Sequence, residues 1–108
     1  MTAPRQPTAF EMAVYAVVRT VAGGRVTTYG RVAARAGRGT ARAVGSALAR
    51  NPYAPEVPCH RVVRADGSLG GFNGETDGPE LARKQAMLEA EGVPFEANGK
   101  VRREAMDM

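Results

Sequence analysis

Apolar residues recur near the start of the chain at the spacing of one helical face. They are Phe10, Val14, Val17, Val18 and Val21. Thr8 precedes this stripe, and Glu11 stands three residues after Thr8, which is the pattern of a capping box. The pattern predicts an amphipathic helix that begins after Thr8 and ends at Gly23-Gly24.

Two shorter helices are predicted after an extended link at residues 25–27. Thr28 can cap the first helix, which stops at Gly37, and Thr40 can cap the second, which runs to about Arg50. A short glycine-rich turn joins them. This arrangement predicts a helix-turn-helix, a motif typical of DNA-binding proteins that also occurs in proteins that never bind DNA.

Small residues dominate the second of these helices. They are Ala41, Ala43, Gly45, Ser46, Ala47 and Ala49. A smooth helix face favours either tight packing against another helix or entry into a narrow groove where long side chains would clash. Both interpretations stay open, and Arg42 and Arg50 flank the small face.

The rest of the chain predicts one extended segment, one further helix and a terminal turn. Three prolines hold residues 51–58 out of helical conformation, and residues 59–63 form a β-prone run. Pro79 suits the first position of a helix that ends at Gly92. Asn98-Gly99 predicts a small hairpin. The predicted fold class is mainly α with a small β element.

Cysteine and histidine each occur once, as the neighbours Cys59 and His60. A disulfide within the chain is therefore excluded, and we expect no metal site. A lone cysteine is most often a small buried hydrophobe, so adjacency to a histidine says little by itself. No stretch has the character of a signal peptide or a membrane span, so we expect a cytoplasmic protein with no membrane partner.

The net charge of +4 is unevenly distributed along the chain. Residues 1–64 carry ten arginines and two glutamates, whereas residues 65–108 carry five basic and nine acidic residues. A polyanion would be attracted to the first part and repelled by much of the second. Charge alone leaves two interpretations open, a nucleic-acid surface and a solvated basic face.

The segment Pro58-Cys59-His60-Arg61-Val62, behind the stiff approach from Asn51, resembles the active-site motif of the O6-alkylguanine-DNA alkyltransferase family. The resemblance spans Phe10 to about Val93. It includes Thr27-Thr28-Tyr29, Ala41-Arg42-Ala43-Val44-Gly45, Asn51-Pro52, Gly70-Gly71-Phe72 and Leu88 to Gly92. It implies a single winged helix-turn-helix-like domain of the alkyltransferase C-terminal type over residues 1–108, with a flexible N-terminus at 1–8 and a C-terminal tail at 94–108.

In this family a cysteine thiolate takes the alkyl group from O6 of guanine. The resemblance implies that Cys59 is the acceptor, that His60 takes the thiol proton through a water, and that Glu91 orients His60. Asn51 would hold the turn around the site. Glu89 is an alternative acid, and Glu91 by itself is also compatible with a solvated surface side chain. The transfer would occur once per molecule and needs no cofactor and no metal.

The same resemblance implies that the damaged base is flipped out of duplex DNA from the minor groove. Arg42 would fill the vacated space, and Tyr29 would assist rotation and donate a proton to the departing guanine. Further DNA contacts would come from Thr28, Ala41, Gly45, Ser46, Arg50 and Arg61. Leu48, Val62, Phe72 and Asn73 would line the alkylguanine pocket. The backbone at Cys59 and Val62 would read the amino edge of the base. Arg42 has two other interpretations, a phosphate contact and a surface ion pair.

The chain departs from the family pattern at the pocket and in its length. Phe72 and Asn73 stand where tyrosine and serine are common, and the loop at 73–80 is longer. The length and the short tail resemble the alkyltransferase-like proteins, which bind alkylated DNA without repairing it and normally lack the cysteine. Three hypotheses follow: a repair transferase, a non-enzymatic sensor that recruits nucleotide excision repair proteins, and a helix-turn-helix protein with an inert cysteine. We expect a monomer that binds double-stranded DNA.

Overall fold

The computed structural model describes residues 6–71 and 78–106, which are mostly helical. The helices are α1 (Ala9–Val18), α2 (Tyr29–Ala36), α3 (Ala41–Ala49) and α4 (Pro79–Ala90), and the strands are β1 (Thr27–Thr28) and β2 (Val62–Val63). Short 3-10 helices cover Cys59–Arg61 and Arg103–Ala105. The prediction of a mainly α fold with a small β element is confirmed. None of the helices in the described ranges is long and apolar enough to cross a membrane.

Three threonines begin the first three helices, as the sequence predicts. The Thr8 hydroxyl accepts from the Glu11 N–H at 3.1 Å and the Glu11 carboxylate accepts from the Thr8 N–H at 2.9 Å, which completes the capping box. Thr28 and Thr40 each accept from the N–H three residues later, at 3.2 and 3.1 Å. Gly37 ends α2 in the left-handed conformation at φ 81°. Local capping chemistry therefore sets most of these helix boundaries.

The first helix is shorter than its apolar stripe predicts. It ends at Val18 because the chain tightens there: the N–H and the hydroxyl of Thr20 both donate to the Val17 carbonyl, at 3.1 and 2.7 Å. The Val21 N–H then donates to the Val18 carbonyl at 3.1 Å. Val21 is buried although it lies outside the helix. The apolar spacing identified the core residues correctly, but the expected end at Gly23-Gly24 was wrong.

The β-prone run at residues 59–63 forms a strand only at its end. Residues 59–61 turn into a 3-10 helix, in which the Arg61 N–H donates to the Pro58 carbonyl at 2.9 Å and the Val62 N–H donates to the Cys59 carbonyl. Val62 and Val63 then pair in parallel with Thr27 and Thr28. The pairing places the Cys59 segment beside the start of α2.

Two apolar cores lie on either side of this small sheet. Val62 belongs to the core under α1, α2 and α3, and Val63 belongs to the core under α4 and the C-terminal segment. Successive strand residues point to opposite faces, so one dipeptide joins both cores. Residues 94–106, expected as a tail, pack on the second core, where Phe95 and Val101 form an antiparallel bridge around the predicted Asn98-Gly99 turn.

Candidate active site

Asn51 organises the approach to Cys59. Its amide nitrogen donates to the Val57 carbonyl at 3.0 Å, and its amide oxygen accepts from the Tyr53 N–H at 2.9 Å. Asn51 follows the C-terminus of α3, so these two bonds tie the end of that helix to the proline-rich turn. This is the turn-holding position that the sequence predicts for Asn51.

A tight turn at Pro58 presents the thiol. Pro58 has φ −80° and ψ 72°, and the Cys59 N–H donates to the Val57 carbonyl at 2.8 Å across it, which is an inverse γ-turn. Cys59 is therefore the first residue of the 3-10 helix. Its thiol is free and only partly buried, and its side chain packs against the core under α1, α2 and α3.

The ring of His60 is buried and bonded to an acid. Its Nε2 lies 3.0 Å from Oε2 of Glu91, which is 31 residues away in sequence. An ionised carboxylate can only accept, so Nε2 carries the proton and Nδ1 is left as the basic nitrogen of the ring. Glu89, the alternative acid, is exposed. The structure brings Glu91, not Glu89, to the histidine.

Arg61 holds the other side of the same carboxylate. Its Nε donates to Glu91 Oε1 at 3.0 Å and its Nη2 donates to Oε2 at 2.6 Å, while Nη1 donates to the Val21 carbonyl at 2.8 Å. The bonded Arg61 keeps the pKa of Glu91 below its ordinary value, partial burial opposes this, and His60 adds to it. Glu91 therefore stays ionised and points at His60. The sequence predicted Arg61 as a DNA contact and did not predict this pairing.

Tyr29 lies at the start of α2 with its ring against the loop that follows β2. Its hydroxyl donates to the Gly71 carbonyl at 3.4 Å. A Cβ built on Gly70 would lie 2.8 Å from the Tyr29 hydroxyl oxygen, so this close approach requires glycine. Burial raises the pKa of Tyr29, a shift that Arg64 and the Gly71 bond oppose and Cys59 assists. The phenol thus keeps its proton at neutral pH.

Lys84 is a component of the site that the sequence analysis missed. It lies on the same face of α4 as Leu88 and is fully buried. Its ammonium donates to the carbonyls of Leu69, Val62 and Gly71 at 2.6, 2.7 and 3.0 Å, and it lies 3.4 Å from the Tyr29 hydroxyl. A lysine at helical spacing within an apolar stripe was the available signal. It is ambiguous, because lysine stems often lie along apolar surfaces with the ammonium in water.

The residues expected to contact DNA fall into two groups. Arg42, Ala41 and Ser46 are exposed on α3, and Gly45 is half-buried there. The others have partners within the protein. Thr28 is buried and caps α2, and Arg50 donates through Nε to the buried Glu11 carboxylate at 2.8 Å. Contact between any of these residues and DNA stays a prediction.

The expected alkylguanine pocket is described only in part. Leu48 and Val62 are buried in the core beneath α3, and the Val62 carbonyl accepts from Lys84. Phe72 and Asn73 lie outside the described residues. Leu48 lies on α3 and Val62 on β2, and their contribution to a pocket stays a prediction.

A helix-turn-helix joined to a cysteine, a histidine and a glutamate places the chain in the class of DNA-binding alkyltransferase domains. Residues 9–93 match the family model described as 6-O-methylguanine DNA methyltransferase, DNA binding domain, and the chain belongs to this family. The methylated-DNA–protein-cysteine methyltransferase of Methanothermobacter thermautotrophicus is 45% identical over 89 residues, which are 82% of this chain and 47% of that protein. That of Mycobacterium leprae is 44% identical over 85 residues, 78% of this chain and 48% of that protein. The chain spans about half the length of these relatives.

Similar solved structures include complexes with DNA. Mycobacterium tuberculosis OGT in complex with DNA has a TM-score of 0.70 and 41% identity, and the match covers 80% of this chain and 51% of that one. Schizosaccharomyces pombe Atl1, in complex with damaged DNA containing O6-carboxymethylguanine, has a TM-score of 0.76 and 29% identity. The Atl1 match covers 97% of this chain and 99% of that one. The fold is that of the alkyltransferase DNA-binding domain.

Proposed function

We propose that this protein is a DNA repair transferase that moves an alkyl group from O6 of guanine to Cys59, once per molecule. The observation that carries the proposal is the hydrogen bond between His60 and Glu91 at 3.0 Å. His60 directly follows Cys59, a free cysteine at the start of a 3-10 helix. That arrangement equips a thiol for nucleophilic attack, because a base beside it can remove its proton.

The reaction balances without any further reagent. The Cys59 sulfur forms a bond to the alkyl carbon as the bond between that carbon and O6 breaks. The thiol proton passes to Nδ1 of His60 through a water, and Tyr29 supplies a proton to the departing guanine. The proton on His60 is released to solvent and Tyr29 regains one from solvent, so no net proton is consumed. The products are unmodified guanine and a cysteine thioether. Nothing in the described part of the chain returns the thioether to a thiol, which makes the reaction stoichiometric.

Glu91 contributes through His60. Its negative charge stabilises the imidazolium that forms when His60 accepts the thiol proton, and it fixes which ring nitrogen is basic. Arg61 holds both carboxylate oxygens, so the acid cannot rotate away from the histidine. Asn51, from the other direction, fixes the turn that aims the thiol.

The helix pair α2 and α3 supplies the DNA surface in this proposal. Arg35, Arg38 and Arg42 are exposed on these helices and on the turn between them. A cationic surface attracts the phosphate backbone, and the small residues on α3 let that helix enter the narrow minor groove. Arg42, at the start of α3, occupies the space that the flipped base leaves.

A second candidate is a damage sensor that binds O6-alkylguanine without transferring the group. The observation that favours it is the match to Atl1 along almost the whole length of both chains. In that case nucleotide excision repair proteins are the expected partners. The presence of Cys59 favours the transferase. The cytoplasmic location, the monomeric state and the single domain stay predictions of the sequence.

The decisive experiment is the intact mass of the protein after incubation with duplex DNA that contains O6-methylguanine. We expect a gain of one methyl group, located on Cys59 by peptide mapping. The Cys59→Ala variant is the matched control, since it should gain no mass and should bind the same duplex as wild type. Tight, selective binding without any gain in mass would exclude the transferase and establish the sensor.

A further inference from the structure

Lys84 is a buried charge without an acidic partner in the described ranges. Its side chain is fully buried, and the ion pairs formed by the described residues do not include it. Removing an ammonium from water is costly unless it is fully hydrogen-bonded. Its neighbours on the same apolar face, Leu81 and Leu88, show that an aliphatic residue suits this environment. The charge therefore needs a reason other than packing.

The three hydrogens of the ammonium all have acceptors. The carbonyl oxygens of Leu69, Val62 and Gly71 lie at 2.6, 2.7 and 3.0 Å from Nζ. An ammonium has three donors, so these bonds saturate it, and the 3.4 Å approach to the Tyr29 hydroxyl is secondary. Lys84 thus joins β2 to Leu69 and Gly71 in the loop that follows this strand.

The Val62 carbonyl is the acceptor that matters for the damaged base. It stands three residues after Cys59, and under the proposed function the backbone at Cys59 and Val62 meets the amino edge of guanine. A carbonyl oxygen has two lone pairs, so Val62 can accept from Lys84 and from the base amine together. The direction of the remaining lone pair depends on where Lys84 holds the oxygen.

We propose that Lys84 is a positioning residue for base selectivity: by fixing the Val62 carbonyl, its ammonium sets the preference for bases that carry the 2-amino group of guanine. This inference rests on the proposed function. It assigns Lys84 no contact with the alkyl group or with the thiol. Its consequence is that Lys84 affects the choice between two bases more than it affects the reaction itself.

The test compares duplexes that contain O6-methylguanine with duplexes that contain O6-methylhypoxanthine, which lacks the 2-amino group. Single-turnover transfer rates are measured for wild type, Lys84→Arg, Lys84→Met and the control Lys100→Met. Lys100 is the other lysine of the chain and pairs with Asp66 at 3.6 Å. Circular dichroism and thermal melting establish that each variant is folded.

Wild type and Lys100→Met should prefer guanine by up to about tenfold, which is what one neutral hydrogen bond contributes. In both Lys84 variants the preference should fall to within about twofold of unity. Lys84→Arg keeps the positive charge but replaces three tetrahedral donors with a planar fork, so it tests position rather than charge. Variants that slow both substrates equally and keep the preference would show a structural role only and would overturn the proposal.

If the Lys84 variants do not fold, wild type alone provides the measurement. Burial lowers the pKa of Lys84 to about 8, Cys59 opposes this shift and Arg64 adds to it. The wild-type preference, measured from about pH 7 to about pH 9.5, should therefore fall as Lys84 loses a donor. Cys59, Arg64 and Tyr29 also face this region, but the reactions of both substrates depend on these groups equally, so their effects cancel in the ratio of the two rates. A preference that is constant across this range would overturn the proposal.

Failure of the proposed function gives a different result. If wild type transfers nothing, the same two duplexes are compared by their dissociation constants, and the same loss of preference is expected in the Lys84 variants. If wild type transfers the methyl group but shows no preference between the bases, the transferase stands and the assignment of Lys84 is wrong.

Discussion

Arg61 and Glu91, thirty residues apart in sequence, form a two-bond ion pair with distances of 3.0 and 2.6 Å. The pair joins the 3-10 helix Cys59–Arg61 to the C-terminus of α4. Two parallel bonds fix the plane of the carboxylate as well as its position. The orientation of His60, which bonds to the same carboxylate, therefore also depends on Arg61.

Replacing Arg61 with glutamine should slow transfer and remove a pH-dependent part of the stability. Glu91 has a folded-state pKa below its ordinary value of 4.5, so its contribution is complete above pH 4.5 and is lost as pH falls through the lower folded value. The carboxylate is partly exposed, which limits the effect to about 1 kcal/mol. Urea unfolding of wild type and Arg61→Gln should differ at pH 7 and converge in acid. Equal stability at pH 7 would show that the ion pair contributes nothing to folding.

Asn51→Ala should slow transfer more than it weakens DNA binding. The substitution removes both bonds that hold the turn before Cys59, while the Val57 carbonyl keeps the Cys59 N–H as a donor, so each lost bond costs about 0.5–1.5 kcal/mol. Single-turnover transfer and binding are measured on the same duplex. Asn98→Ala is the matched control, because the Asn98 side chain also accepts a backbone bond, from Lys100 at 3.0 Å, but in the C-terminal turn. Equal effects of both variants on transfer would contradict a local role for Asn51.

Gly45→Ala should stabilise the protein. Gly45 lies inside α3, and a Cβ there would meet only the Tyr29 ring, at 3.9 Å. The higher helix propensity of alanine is worth about 1 kcal/mol, or roughly 4–8 °C in the melting temperature. Gly39→Ala should do the opposite, since Gly39 has φ +86° and its Cβ would lie 2.5 Å from the Phe10 ring. Calorimetry should show a higher melting temperature than wild type for Gly45→Ala and a lower one for Gly39→Ala.

A larger residue at position 45 separates the two interpretations of the small helix face. If α3 enters the minor groove, Gly45→Leu should weaken binding to plain and alkylated duplex while the protein remains folded. If the small residues serve only helix packing, binding by the folded variant should stay at the wild-type level. Fluorescence anisotropy with a labelled duplex makes the measurement.

Arg42→Ala should weaken DNA binding, and the salt dependence should show how. Loss of a phosphate contact makes the plot of log K against log salt concentration less steep, by about 0.9 in slope. If Arg42 instead fills the space of the flipped base, Arg42→Ala should leave the slope unchanged and should reduce the fluorescence of a 2-aminopurine placed beside the lesion. Arg103→Ala is the control, an exposed arginine on the C-terminal 3-10 helix. Wild-type affinity and flipping in Arg42→Ala would remove Arg42 from the DNA interface.

Where helix ends and strands differ from the sequence predictions, hydrogen bonds and a proline close by in the chain override the propensity. A stripe of valines identified the buried face of α1, but the turn at Thr20 ended that helix early. The β-prone residues 59–61 became a 3-10 helix because Pro58 and the bonds of Asn51 shape the chain before them. Propensity is weak where prolines and side-chain amides compete with it.

The sequence by itself determined the helix starts and the mainly α composition, and it predicted the roles of Cys59 and His60. Each depends on residues close together in the chain: a threonine caps the helix that follows it, and a motif of five residues carries its own chemistry. Only the tertiary structure decided that Glu91 rather than Glu89 meets His60, that Arg61 bonds to Glu91, and that Lys84 is buried on three carbonyls. An arginine or a lysine has no local signal for its partner, because the geometry that pairs it is made by packing α4 against residues 59–71.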